Sequence, residues 1–174
     1  MRARQALLGG VLVLGLHAAH ADIRFRPFAD DPDEPKWQES AFVLPDAPRD
    51  EDLLEFYVSA VTANRFFVDG KSLGVGADDV VRYTLVIRTA GGATNVSFEG
   101  MRCEAMEYRI YATGRPEGAW APVRAGAWRP IENKTVNGYH AALSRNYFCP
   151  NRSPIRDADE GRNALRLGKH PRAE

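Results

Sequence analysis

The residues best suited to chemistry cluster between positions 82 and 109. Glu99, Arg102, Glu104, Glu107 and Arg109 lie within one short stretch, and Arg82 precedes them on an alternating run. Two carboxylates about 5–9 Å apart can act as acid and base on a glycosidic bond. Glu99 and Glu107 are the pair on offer. The same alternation of acids and arginines equally builds a solvated ion-pair ladder of little energetic weight, or a polar patch that grips a ligand. Trp120 and Trp128 add two large rings. Such rings stack on sugars, grip peptides, or plug gaps beneath short edge strands. The expected ligand patch is therefore Arg82, Glu99, Arg102, Glu107, Arg109, Trp120 and Trp128, with no residue assigned a catalytic role.

Other chemistries are poorly supplied. Beyond the first 21 residues only His140 and His170 occur, and there is no H-E-x-x-H, G-x-S-x-G, S-x-x-K or phosphate loop. His140 has no partner at a useful spacing and is expected on a helix surface. Asp30, Asp31, Asp33 and Glu34 cluster, yet they lack the glycine and distal glutamate of a calcium loop. No metal or cofactor is expected.

The elements that must position these residues read mostly as strands. Residues 22–50 carry Pro27, Pro32, Pro35, Pro45 and Pro48, which predicts an extended surface arm anchored by Trp37. Leu54, Phe56, Val58 and Ala60 alternate as one strand face. Asp69-Gly70 between β-formers predicts a tight hairpin turn. Val81, Tyr83, Leu85 and Ile87 alternate with polar residues, and Val96 and Phe98 do so after Gly91-Gly92. A two-residue turn at those glycines would set Ile87 opposite Val96 and Leu85 opposite Phe98, with Arg82 diagonal to Glu99 on the polar face. Residues 104–113 form the next strand, with Glu107, Arg109 and Tyr111 on one side. Gly118-Ala-Trp120-Ala-Pro122 is echoed by Gly126-Ala-Trp128-Arg-Pro130, and the prolines make both copies edge strands. Tyr139, Ala142, Leu143 and Tyr147 share a helical face, stopped by Pro150. Residues 151–174 are highly charged and lack aromatics. They are expected to form a mobile tail with at most a short helix at 157–167.

Arg2 and Arg4 precede an apolar run from Ala6 to Leu16, followed by Ala19-His20-Ala21. This is the pattern of a secretory signal peptide over residues 1–21, too short in its apolar run to span a bilayer. Its removal leaves 153 of 174 residues, the size of one ordinary domain. Arg2 and Arg4 leave with it, so the 23 basic residues fall to 21 against 23 acidic. That balance argues against nucleic acid as a partner. No later segment is apolar and long enough to cross a membrane. Cys103 and Cys149 form an even pair, which in an exported chain reads as a disulfide. Reactive thiols are the rival reading, without a C-x-x-C spacing to support it.

Three stretches resemble a known family. They are Asp69-Gly-Lys-Ser-Leu-Gly-Val-Gly-Ala-Asp78, Val81-Arg-Tyr-Thr-Leu-Val-Ile-Arg88 and Asn95-Val-Ser-Phe-Glu-Gly-Met-Arg-Cys103. Glu107, Arg109, Tyr111-Ala112, Gly114-Arg115, Trp120, Trp128 and Tyr147-Phe-Cys-Pro150 extend the likeness over about 37–150. The chain is similar to the cryptic neisserial protein-like family of small exported proteobacterial proteins. The resemblance implies one exported Gram-negative domain and brings no catalytic residues with it.

The expected fold is α+β: one mainly antiparallel meander over 51–150, stapled by a disulfide to a C-terminal helix, in the periplasm. Three functions compete. The first is a non-enzymatic binding module for an envelope component or envelope protein. The second is an envelope glycan hydrolase using Glu99 and Glu107. The third is a structural subunit whose sheet edge pairs with a partner strand.

Overall fold

Alternating β-branched, aromatic and polar residues from 65 to 114 form four long strands: β2 (Arg65–Val75), β3 (Val80–Arg88), β4 (Thr94–Arg102) and β5 (Glu107–Gly114). The computed structural model describes residues 36–124, 126–132 and 138–173. The signal segment 1–21 and the acid cluster at 30–34 lie outside the described residues. From Trp37 onward the chain forms one compact unit.

The strands pair antiparallel in sequence order, with β1 (Leu53–Phe56) on β2 and β6 (Trp120–Pro122) on β5. The second proline-bearing repeat supplies a two-residue strand, β7 (Arg129–Pro130), on the other end of β5. Both copies sit at edges, as proline's missing N–H requires.

Two turns differ from expectation. Asp69-Gly70 does not reverse the chain; β2 runs through it, and its register against β3 shifts between Asp69 and Gly74. The Asp69 carboxylate instead accepts from the N–H groups of Lys71 (3.1 Å) and Ser72 (3.2 Å). The aspartate thus serves a bulge within the strand rather than a hairpin. The β3–β4 connection is closed by Thr89 and Ala93, whose backbone bond measures 2.8 Å, leaving three residues in the loop. Gly92 takes a positive φ of 85° there. Val86 therefore faces Val96, Leu85 faces Ser97 and Tyr83 faces Glu99. That is one residue off the expected register, and a one-residue slip exchanges the two faces of a strand.

Helices cover one face of the sheet. Tyr139–Leu143 form α1, which widens into a π turn over Ser144–Phe148 closed by Cys149 N–H to Ser144 O at 2.9 Å. Leu143, Tyr147 and Phe148 pack into a core with Val68, Val81, Tyr83, Leu85 and Met101. Each fully buried large apolar side chain of this kind contributes roughly 1.5–3 kcal/mol. The Cys103–Cys149 disulfide (Cα–Cα 5.2 Å) staples the π turn to the corner after β4. Closing a loop of 46 residues adds about 4 kcal/mol in the chain-entropy picture.

Residues 151–174 correct the expectation of a mobile tail. Ala158–Leu167 form α2, N-capped by the Asp157 side chain on Glu160 N–H (2.8 Å) and ended by left-handed Gly168. Ala164 and Leu165 join Ile155 in the core. The high charge of the segment hid this narrow apolar stripe, whose spacing is helical.

The proline-rich stretch lies on the opposite face. From residue 36 to residue 49 it has no helix or strand. The indole N–H of Trp37 bonds Asp78 O (3.1 Å), and that of Trp120 bonds Pro45 O (2.7 Å). The partly exposed Phe42 packs its ring 4.2 Å from that of Tyr111. The sheet is thus covered by helices on one side and by an extended arm on the other.

Candidate functional site

The exchanged register of β4 divides the expected polar patch between the two faces. Arg82 lies opposite Gly100, Arg102 opposite Glu107, and Gly100 opposite Arg109. These side chains face the arm. Glu99 lies opposite Tyr83 and faces the helices. The expected diagonal of Arg82 with Glu99 is therefore not formed.

On the arm side the charges close on one another. Arg82 grips Asp78 through two bonds, of 3.0 and 2.7 Å. Burial opposes ionisation of Asp78, but the guanidinium and the Ser40 N–H hold its carboxyl well below the usual carboxylate range. Glu39, on the arm, accepts from Arg109 (2.6 Å) and from the Tyr111 hydroxyl, and sits 3.6 Å from Arg82. Burial and the bond to Glu39 push the Tyr111 phenol upward. Gly100 makes room for this arrangement, since a Cβ there would collide with the Tyr111 ring and hydroxyl. Nearer the surface, Arg102 pairs with Glu107 at 3.0 Å. Its guanidinium lies 3.8 Å from the Trp37 ring centre and 5.5 Å from that of Trp128. Arg82, Arg102, Arg109, Glu107 and Trp128 thus hold the arm to the sheet. Nothing in the sequence marks Glu39 as a partner, because its pairing depends on the arm's path, whereas Asp78 stands only four residues before Arg82. The carbonyl of Glu104 accepts from Arg152 at 2.6 Å in the turn after β4.

On the helix side Glu99 is the centre of a sealed cluster and is 1% exposed. His140 corrects the surface expectation: it is buried, with Nε2 at 2.7 Å from Glu99 Oε2. The Tyr83 hydroxyl reaches the same oxygen at 3.2 Å, and Ser97 Oγ reaches Oε1 at 2.5 Å. A carboxylate oxygen at this distance accepts the Nε2–H of His140. The Tyr108 ring stacks on the imidazole at 3.6 Å, and Tyr139 lies at 4.4 Å. Burial first and the Glu99 charge second hold the Tyr83 phenol well above its ordinary value. The same two causes push Tyr139 up to about 12. Ser97 donates to the carboxylate rather than to the imidazole, so the three groups do not form a nucleophile–base–orienter relay. They fasten α1 to β3, β4 and β5.

Glu99 and Glu107 therefore stand on opposite faces of the sheet. Paired-carboxylate chemistry needs both on one side of a single bond, so this pair does not provide it. Trp120 lines a pocket outside these two clusters. Its ring borders a cavity of about 340 Å³ formed with Ala47, Pro48, Val96, Arg115 and Pro116.

The fold and its two closed polar clusters define a small α+β domain, an antiparallel meander stapled by one disulfide and sandwiched between helices and an extended arm. A family model describing the CNP1-like family matches residues 32–166, and the chain belongs to that family. No curated protein and no solved structure matches the chain. No helix among the described residues is long and apolar enough to cross a membrane.

Proposed function

We propose that the chain is an exported, non-enzymatic binding module of the cell envelope, working in the periplasm, and that its ligand seats against Trp120. One observation carries this reading: Trp120 is held in place by its N–H bond to Pro45 O and lines a pocket. A fixed aromatic wall loses little freedom on binding, and a cavity of about 340 Å³ suits a small ligand or one ring of a larger one. Arg115 supplies a charged edge and Pro48 and Pro116 an apolar one. Sugar rings have this combination of apolar face and polar rim. The disulfide fits an oxidising compartment.

Titration of the purified mature protein with peptidoglycan fragments, read by tryptophan fluorescence and calorimetry, tests the proposal. Saturable binding is expected, weakened by about tenfold or more in Trp120→Ala, the loss typical of an anchoring aromatic residue. That variant also frees Pro45, so Arg115→Ala serves as a second probe that leaves the arm bond intact. Absence of binding to any envelope fraction, or unchanged binding in both variants, would reject the proposal.

A further inference from the structure

A second pocket, of about 430 Å³, lies beside the disulfide and is lined by Met106, Ser144, Arg145, Cys149, Asn151 and Arg152. Among the described residues no acidic side chain lines it. Several other arginines near the C-terminus are neutralised: Arg156 by Glu160 (3.2 Å), Arg162 by Asp159 (2.6 Å) and Arg172 by Glu160 (3.1 Å). Arg145 and Arg152, both exposed, meet no carboxylate within ion-pair distance among the described residues; Arg166 is likewise unpaired, but it does not line this pocket. Arg152 gives one N–H to Glu104 O (2.6 Å), which fixes the guanidinium beside the turn. Its remaining donors have no acceptor among the described residues.

The backbone reaches this arrangement by an unfavourable route. Asn151 (φ 54°) and Arg152 (φ 62°) are consecutive left-handed residues, and Met106 across the pocket is a third (φ 55°). Arg152 and Met106 each cost on the order of 1 kcal/mol or more there, while asparagine adopts this region more readily. Cys149, two residues before Asn151, is tied to Cys103 by the disulfide. Ser144 is buried in the pocket wall, and the partner of its hydroxyl is the weakly accepting Met106 sulfur at 3.7 Å.

We propose that Arg145, Arg152 and Asn151 form a binding site for a phosphoryl group. Two guanidiniums without a competing carboxylate match a doubly charged tetrahedral oxyanion, which planar N–H forks contact through paired bonds. An amide beside them adds a neutral donor. The site shares no residue with the Trp120 pocket, so a Trp120→Ala variant should bind phosphate like the native chain.

The test has two arms on the mature, disulfide-bonded protein. In the first, inorganic phosphate is titrated while backbone and side-chain NMR signals are followed. In the second, phosphatidylglycerol vesicles are sedimented with the protein. Saturable shifts confined to residues 144–152 would assign a free phosphoryl ligand. Vesicle binding without phosphate saturation, lowered by Arg145→Gln, would assign a lipid headgroup. Arg145→Gln removes a side chain with no partner among the described residues, so stability should hold while affinity falls about tenfold. Arg145→Gln with Arg152→Gln should abolish binding. Neither phosphate saturation nor vesicle binding, or native affinity in Arg145→Gln, would overturn the site.

Discussion

Glu99 and Glu107 are eight residues apart and chemically identical, yet their removal should have unequal consequences. Glu99 accepts three side-chain bonds in a sealed space. Glu99→Gln leaves a buried imidazole and two hydroxyls poorly matched, and about 3 kcal/mol of stability should be lost in urea denaturation. Glu107 makes one ion pair with a quarter of each side chain exposed. Glu107→Gln should cost less than about 1 kcal/mol. Equal effects would contradict their placement on opposite faces. Charge type was legible at these positions, but the number of residues in the loop at Ala90–Gly92 was not. That single count decided which face each carboxylate took. The burial of His140 was not legible either: its partner is distant in sequence and reaches it only because β4 turns Glu99 inward.

At the level of elements, α2 supplies sharp expectations. A helical glycine replaced by alanine ordinarily gains about 1 kcal/mol. At Gly161 a Cβ would stand 2.6 Å from Ile155 Cδ1 and 2.7 Å from Leu73 Cδ2, both in the core. Gly161→Ala should therefore destabilise by about 1–3 kcal/mol, read as a lower denaturation midpoint. Glu160 gives the helix a pH dependence. Burial opposes its ionisation, but the Arg156 N–H, the His170 ring and the Arg156 side chain bring its pKa down to about 2. A carboxyl with a folded value below its unfolded one stabilises fully above the unfolded value, near 4.3 for glutamate. That contribution should fade as pH falls from about 4.3 towards about 2. Glu160→Gln should flatten the fall when stability is followed by circular dichroism between those limits. The sequence analysis allowed at most a short helix at 157–167; the Asp157 cap and the left-handed Gly168 are findings of the structure. Composition led to the expectation of a mobile tail, because ten residues of helix bury only a thin stripe.

For the whole molecule, the disulfide and the arm act as two independent clamps. Reducing Cys103–Cys149 should lower stability by about 4 kcal/mol and free the end of the π turn. Thermal unfolding with and without a thiol reductant measures this, and no change in midpoint would show that the bond adds nothing. Strand alternation, the proline-limited edge strands and the cysteine pair were set by local chemistry, since a strand's period and a proline's missing N–H travel with the sequence. The family likeness followed from the same local patterns. Local chemistry could not set the partner Glu39 of Arg109 or the burial of His140 against Glu99. Each of these depends on segments far apart in the chain being brought to one place, and only the packed sheet, helices and arm determine that.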